Sequence, residues 1–248
     1  MSLDDVITGV VKKPRRLLVY GVPSVGKTTF AAQAPNPIFI PTEEGANDLD
    51  VAKFPLVKSY DEFVNRLREL VKGGHGYETV VIDTLGALDL LIIKHLCEKE
   101  KKGYTALEDW GFGRGPELAK ALWNQVCSML DHLKDQGMTI VMLAHAHVKH
   151  FTPPDSDGYD RYEPNFTKKC AALMVGWSDE VFFANFVVRT KQTSAGKTQG
   201  VGQGKRVMFC QERPAYNAKN RLGMKPETDF TWSEYQDAIT NPQPFKGN

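Results

Sequence analysis

The sequence has few cysteines and no long apolar segment. Its four cysteines lie far apart and form no C-x-x-C pair, which argues against a zinc knuckle and against a disulfide framework. A run of about 18 apolar residues, enough to cross a bilayer, is also absent, and the N-terminus is acidic where a secretion signal would be basic. We therefore expect a cytoplasmic protein with reduced, buried thiols and no membrane partner.

The sequence also lacks a net charge of either sign, and it shows no internal repeat. Its 31 lysines and arginines nearly balance 30 aspartates and glutamates, so any binding of nucleic acid must come from local patches. With 248 residues, of which 42% are hydrophobic, the chain is long enough for one large α/β domain, or a domain with a small appendage.

One glycine-rich segment carries a specific chemical signal. Residues 21–28 match the pattern G-x-x-x-x-G-K-[ST], between an apolar run at 17–20 and a helix-compatible run at 29–34. Glycines let backbone amides turn inward around phosphates, Lys27 reaches the outer phosphates, and Thr28 is placed to hold Mg²⁺. The pattern predicts binding of ATP and Mg²⁺. The expected nucleotide contacts are Gly21, Val22, Pro23, Ser24, Val25, Gly26, Lys27, Thr28 and Thr29.

Apolar segments alternate with helical patterns in the first part of the chain. Strands are predicted at 17–20, 38–40, 54–57, 79–83 and 139–144, and helices at 63–71, 85–99 and 116–135. This order predicts an α/β fold with a parallel twisted sheet covered by helices on both faces and ligands at the carboxyl ends of the strands. Farther along, the predicted elements are a loop at 145–165, a helix at 167–175 and a C-terminal antiparallel hairpin of strands 180–188 and 206–211 with its tip at 190–204.

Acidic residues follow two of these strands. Asp83 closes an apolar strand and is expected to hold Mg²⁺ through its water shell, although an aspartate before a helix is also a common N-cap. Glu43 lies just past the second strand and is predicted to activate the water that attacks the γ-phosphate. Glu44 is the alternative base. One of the two glutamates is expected to be an ordinary surface acid in a solvated turn, without a catalytic role.

His145 ends the strand at 139–144. There it could contact the γ-phosphate and report its presence to the segment beyond, or it could be an ordinary hydrogen-bonded histidine. Zinc binding together with His147 and His150 is a further alternative, which the lack of a carboxylate or thiol at tight spacing argues against.

Two segments carry candidates for contacts with single-stranded DNA. Residues 189–206 contain five cations and no acid, which suits a phosphate backbone, although charged hairpin tips usually face water. The segment after His145 combines cations with aromatic rings, each of which contributes about 1 to 3 kcal/mol when it stacks on a base. Core packing is the alternative for Phe166. The candidates are Lys149, Phe151, Tyr159, Arg161, Tyr162, Lys168, Lys191, Lys197, Lys205 and Arg206.

Two cations near the end of the chain are spaced for a joint role. Lys219 and Arg221 are separated by one residue, so on an extended chain they point the same way. Because Lys27 already serves the site within its own chain, we expect these two residues to reach the γ-phosphate held by a neighbouring subunit. A solvent-facing tail is the alternative.

Taken together, the segments 21–28, 42–43, 79–83, 143–145 and 213–221 resemble the phage-encoded, single-domain RecA-like ATPases, nearest to the Sak-four type of single-strand annealing recombinase. The resemblance covers about residues 15–235 and leaves 1–14 and 236–248 as tails. It implies a RecA-like P-loop core, Glu43 as the base, and Ala144-His145 as the polar pair that leads into a DNA-binding loop. Lys219 and Arg221 look like the trans finger of DnaB-like ring helicases.

The resemblance implies an oligomeric ATPase that acts on single-stranded DNA and promotes annealing or strand pairing in phage recombination, in the host cytoplasm. A single-strand binding protein is a further candidate partner. Two rivals use the same core: a ring-forming motor or helicase loader, and a small-molecule kinase in which the basic hairpin serves as a lid. A protein that uses ATP only as a structural clamp is a third.

Overall fold

The computed structural model describes residues 6–9, 11–100, 102–155, 157–192 and 198–242, and only the backbone of 188–192 and 198–203. Nine strands form its sheet: β1 Arg16–Gly21, β2 Pro37–Pro41, β3 Ala52–Lys53, β4 Thr79–Asp83, β5 Thr139–Phe151, β6 Tyr159–Pro164, β7 Glu180–Gln192, β8 Thr198–Phe209 and β9 Glu227–Asp229. The helices are α1 Lys27–Ala31, α2 Tyr60–Val71, α3 Leu85–Glu100, α4 Arg114–Asp135, α5 Lys168–Trp177 and α6 Trp232–Thr240, with a 3-10 turn at Leu107–Trp110.

The strands follow the order β3-β2-β4-β5-β1-β7-β8-β9, and β6 pairs with the far end of β5. The pairs from β3 through β7 are parallel, whereas β7, β8 and β9 pair antiparallel. Parallel strands require crossover connections, and here helices supply most of them. The arrangement confirms the predicted fold class, including the antiparallel hairpin near the C-terminus.

The sheet separates two hydrophobic cores because side chains alternate along each strand. On β1, Leu18 and Tyr20 face the core that α2, α3, α4 and α5 complete, whereas Leu17 and Val19 face the core that α1 and α6 complete. The residues of β1 are buried from Leu17 to Gly21, and only Arg16 is partly exposed. This burial on both faces explains the unbroken apolar runs of the central strands.

Several predicted boundaries differ from the structure. The third strand lies at Ala52–Lys53 and not at 54–57, since Pro55 has no amide hydrogen for a ladder. The loop predicted at 145–165 is instead the long end of β5 paired with β6, from Ala146 opposite Pro164 to Phe151 opposite Tyr159. The strands β7 and β8 reach Gln192 and Thr198, so the tip predicted at 190–204 is largely strand.

The chain ends also differ from the expected tails. No helix or strand includes the described residues before Arg16, as expected for residues 1–14. At the other end, α6 continues to Thr240 and packs Tyr235, Ala238 and Ile239 against the α1 side of the sheet. Residues 236–240 therefore belong to the domain and not to a tail. All four cysteines are free and buried, as predicted.

Candidate active site

The glycine-rich loop joins β1 to α1 at the carboxyl end of the parallel strands. Gly21 ends β1 between His145 on β5 and Ala184 on β7. A Cβ at Gly21 would lie 2.3 Å from the Ala184 carbonyl oxygen, so the close approach of these strands requires glycine. Gly26 precedes α1 with φ of 93°, a left-handed conformation that favours glycine. The loop thus has the backbone geometry expected of a phosphate cradle.

Lys27 is buried at the start of α1 and bonds to the loop itself. Its Nζ donates to the carbonyl oxygens of Gly21, at 3.1 Å, and Val22, at 3.2 Å. Burial lowers the pKa of the Lys27 ammonium, and the charges of Asp83 and Glu43 oppose that effect. An anion bound in the loop would supply the countercharge that burial makes favourable.

Thr28 and Asp83 form a set of oxygen ligands. The Thr28 hydroxyl donates to Asp83 Oδ2 at 2.8 Å, and Asp83 is only 2% exposed. Burial raises the pKa of Asp83. Gly45 leaves space above the pair, since a Cβ there would be 3.8 Å from Asp83 Oδ2 and 4.0 Å from Thr28 Oγ1. A hydroxyl and a carboxylate next to a phosphate cradle fit Mg²⁺, which prefers oxygen ligands.

His145 connects Lys27 to Glu43. Its Nδ1 lies 3.5 Å from Lys27 Nζ and its Nε2 lies 3.0 Å from Glu43 Oε1. With the proton on Nε2, the imidazole accepts from the lysine and donates to the glutamate. The hydrogen bond from His145 lowers the pKa of Glu43, so Glu43 is ionised, as a base must be. Glu44 is exposed.

Thr84 is a residue of this site that sequence reasoning missed. Its hydroxyl is buried and makes no hydrogen bond of normal geometry to the described residues, although it also favours the ionised form of Glu43. An unsatisfied buried hydroxyl beside a base is a position for a bound water or ligand group. The available signal was its place directly after Asp83 at a strand end. Within the described part of the chain, no three His, Cys, Asp or Glu side chains form a metal-binding cluster.

The structure places Lys219 and Arg221 at the opposite end of the sheet. Lys219 bridges to Val181 near the start of β7, and its Nζ donates to the carbonyl oxygens of Gly176, at 2.9 Å, and Ser178, at 2.6 Å. Arg221 Nη1 donates to Asp179 Oδ1 at 3.2 Å, and the Arg221 side chain is 56% exposed. Asp179 also pairs with Arg16, the first residue of β1. Five residues of strand, about 16 Å, therefore separate these cations from the loop of their own chain.

The β5–β6 hairpin holds most of the aromatic DNA-binding candidates. Phe151 and Tyr159 pack together near its tip with ring centroids 5.6 Å apart. Two other candidates have structural roles. Arg161 is 8% exposed and bonds to Glu212 and Asn217, and Tyr162 stacks on Phe183 at 4.7 Å. These two side chains are committed to packing, which corrects their assignment to a DNA surface.

Phe166 and the basic candidates differ in their surroundings. Phe166 packs on Trp123, the alternative considered above. Lys149 lies 3.8 Å from Glu163, and Lys168 is exposed at the start of α5. Among the candidates near the C-terminal hairpin, Lys205 pairs with Asp229 at 2.8 Å and Arg206 lies beside Gly26. The Lys191 side chain and all of Lys197 lie outside what the structure describes.

Comparisons with known proteins show what the chain is similar to. A family model described as an AAA domain matches residues 13–222. The SPbeta prophage-derived uncharacterized protein YorG of Bacillus subtilis (strain 168) is 22% identical over 171 residues, which are 67% of this chain and 49% of that protein. The chain thus spans about half the length of this curated relative.

A solved structure, that of the KaiC-like protein PH0186 from the archaeon Pyrococcus horikoshii OT3, is similar over 79% of this chain and 78% of its own, with a TM-score of 0.40 and 15% identity. In the described part of the chain, no helix has the length and apolar character needed to cross a bilayer. The family model covers most of the chain, including the phosphate loop and the acidic strand ends. The chain belongs to the AAA domain family, which has the fold of a P-loop ATPase.

Proposed function

We propose that this protein binds and hydrolyses ATP with Mg²⁺ as an oligomer and that it acts on single-stranded DNA, promoting annealing or strand pairing in phage recombination. The observation that carries the proposal is the convergence of two hydrogen-bonded sets at the glycine-rich loop, one of Lys27, His145 and Glu43 and the other of Thr28 and Asp83. The prophage origin of the curated relative supports the phage context.

Each side chain of the network has a defined part. Lys27 leaves its carbonyl partners to bind the outer phosphates, and Thr28 and Asp83 hold Mg²⁺ beside them. When bound, Mg²⁺ neutralises negative charge on the phosphates. Glu43, kept ionised and oriented by His145, takes a proton from the attacking water, while Thr84 provides a further oxygen to position that water. His145 couples the base to Lys27, so occupancy by phosphate changes both.

We propose that a neighbouring copy completes the site with Arg221. The charge on Arg221 lies at the amino end of the strands, whereas the loop of the same chain lies at their carboxyl end. About half of the Arg221 side chain is exposed. A cation that cannot reach its own nucleotide can reach that of a copy whose carboxyl end faces it. Arginine supplied in trans stabilises the charge that develops during phosphoryl transfer. The ammonium of Lys219 donates hydrogen bonds to two carbonyl oxygens. Lys219 thereby fixes the segment that presents Arg221.

In this proposal, two hairpins near the nucleotide loop carry the DNA contacts. The strands β5 and β7 run parallel to β1 and continue six and eight residues beyond its end, since His145 and Ala184 lie opposite Gly21 and the strands end at Phe151 and Gln192. The β5–β6 hairpin therefore extends about 20 Å and the β7–β8 hairpin about 26 Å beyond the edge that carries the site. Phe151, which is exposed, and Tyr159, which is partly exposed, supply rings on which bases can stack. A hairpin that begins at His145 can respond to the γ-phosphate.

The hairpin assignment is tested by replacing Phe151 with alanine and measuring affinity for a fluorescent oligothymidylate. We expect about a tenfold loss, since a base–aromatic stack contributes about 1 to 3 kcal/mol. Phe112→Ala is the matched control, because this fully exposed aromatic residue precedes α4 and is not part of either hairpin. Equal affinities for the two variants would count against the hairpin.

The wider proposal is tested by the ATPase rate of the wild-type protein with and without single-stranded DNA, together with its oligomeric state by light scattering. Stimulation by DNA in an oligomer supports the proposal. Directional unwinding of duplex DNA would favour the ring motor instead. Transfer of the γ-phosphate to a small molecule without any effect of DNA would favour a kinase, and turnover at background level would favour a structural clamp.

A further inference from the structure

Arg206 lies on the face of the sheet that carries the nucleotide loop. On β8 it alternates with Val207 and therefore shares a face with Met208, which packs in the core that α1 completes. Its guanidinium reaches the loop itself, because a Cβ placed on Gly26 would lie 2.5 Å from Arg206 Nη1. A side chain at position 26 would therefore clash with the Arg206 guanidinium in its present position.

An irregularity in the hairpin accompanies the position of Arg206. Arg206 pairs with Phe186, and the next pair toward the tip joins Gly202 to Val188. Between these two pairs lie three residues of β8, 203–205, but only one residue of β7, at 187. Gly204, in the middle of these three, has φ of 69°. Bulges of this kind bend a strand and re-aim the neighbouring side chains, and they are common next to active sites. The bulge is local to the residue that contacts the loop.

The charges around Arg206 indicate what it binds. Gly26, which its guanidinium approaches, directly precedes Lys27, so the glycine-rich loop has two cationic residues beside it. Among the described side chains, no carboxylate forms an ion pair with Arg206, whereas the adjacent Lys205 pairs with Asp229 on β9. Two cations beside one loop become favourable when an anion lies between them. A guanidinium offers several donors in a plane, which matches the oxygens of a phosphate.

We propose that Arg206 is a phosphate-binding residue of the nucleotide site, supplied by the same chain as the glycine-rich loop, and that it ties the base of the β7–β8 hairpin to the bound nucleotide. This rests on the proposed binding of ATP, and it moves Arg206 from the DNA surface to the nucleotide site. The β7–β8 hairpin then follows nucleotide occupancy through an arginine, as the β5–β6 hairpin does through His145.

The test compares Arg206→Ala with wild type in calorimetric titrations with the non-hydrolysable analogue AMP-PNP and Mg²⁺. We expect affinity to fall about tenfold to a hundredfold, the range of a charge-assisted hydrogen bond. Arg206→Lys should recover part of the loss, because it keeps the charge but not the fork. Arg68→Ala, an exposed arginine on α2 that belongs to no proposed site, is the matched control and should bind AMP-PNP as wild type does.

Thermal unfolding separates binding from a merely structural role. If Arg206 binds phosphate, Arg206→Ala unfolds at the wild-type temperature without nucleotide but gains less on addition of AMP-PNP. Wild-type affinity for AMP-PNP in Arg206→Ala, with no binding by Lys27→Ala, would overturn this inference and leave the proposed function intact. A loss confined to single-stranded DNA binding would also overturn it. Failure of the wild-type protein to bind AMP-PNP would instead reject the proposed function.

Discussion

The two ends of the parallel strands carry buried charges in different arrangements. At the amino end, Asp179 accepts from Arg16 and Arg221, and Glu180 pairs with Arg15. At the carboxyl end, Lys27 bonds to neutral carbonyl oxygens and Asp83 to a neutral hydroxyl. The first end therefore pairs its charges directly, whereas Lys27 and Asp83 at the second end have no ion pair among the described residues.

The pKa values reflect this difference. Burial lowers the pKa of Lys27 and raises that of Asp83, so it disfavours the charged form of both groups. The charged forms are the ones needed for nucleotide binding. At the amino end the result is mixed: the hydrogen bonds from Arg16 outweigh burial and lower the pKa of Asp179, whereas burial raises the pKa of Glu180 despite its pairing with Arg15. Charged groups that burial disfavours are typical of binding sites, where a protein is less stable than it could be because the charges are needed for function. The comparison predicts that substitutions at the two ends have opposite kinds of effect.

The largest expected effect comes from Arg221→Ala. If this arginine completes the site of a neighbouring copy, ATP turnover falls by about 10³-fold while nucleotide affinity stays near that of wild type. Turnover and equilibrium binding of AMP-PNP are the measurements. Arg213→Ala, an exposed arginine in the same C-terminal segment, is the control. Equal loss of binding and turnover in Arg221→Ala would contradict the trans assignment.

Glu43→Gln should have the next largest effect, at the other end of the strands. Loss of the base lowers turnover by about 10²-fold, and binding persists because the phosphate loop is unchanged. The same assay on Glu44→Gln distinguishes the two glutamates, since Glu44 is exposed. If Glu44→Gln lost more activity than Glu43→Gln, the assignment of the base would be reversed.

Replacing Asp179 or Asp83 with asparagine tests the comparison through the free energy of unfolding. Asp179→Asn leaves Arg16 with one partner fewer and should lower the free energy of unfolding by about 2 kcal/mol. Asp83→Asn removes a buried charge that lacks a cationic partner at bonding distance and should raise the free energy of unfolding of the nucleotide-free protein by about 1 kcal/mol. Urea titrations at neutral pH measure both values. Destabilisation of similar size by both variants would show that the two ends do not differ.

The pH dependence of those two differences sharpens the test. The pKa of Asp83 is raised by folding, so the penalty of its charge disappears as the pH falls through that raised pKa toward about 4, the ordinary aspartate value. The pKa of Asp179 is lowered, so its contribution to stability persists at pH 4 and is lost only below it. On acidification, the effect of Asp83→Asn should vanish first. The reverse order would contradict the assigned shifts.

The same contrast explains how much the sequence could predict. The glycine-rich loop, Asp83 and Glu43 stand at the ends of short apolar strands, and local pattern was enough to place them. The β5–β6 hairpin was missed because residues 145–151 and 159–164 are mostly polar and gain stability from pairing with each other, which no periodicity reveals.

Positions that depend on contacts distant in sequence were not predictable. Arg206 contacts Gly26 across 180 residues of chain, and the sequence suggested only a basic hairpin. Arg161 resembled a DNA contact, but Glu212 and Asn217 bury it. Which end of the sheet holds Arg221 followed from its bond to Asp179, a tertiary contact.

Complementation between two inactive variants tests the shared site most directly. We expect Lys27→Ala and Arg221→Ala each to be inactive alone, whereas mixed oligomers would contain interfaces at which an intact Lys27 of one copy meets an intact Arg221 of the next. An equal mixture with random assembly should recover about one quarter of wild-type ATP turnover, because half of the copies supply each residue. A mixture no more active than the separate variants, with subunit exchange verified by labelled protein, would contradict completion of the site by a neighbouring copy.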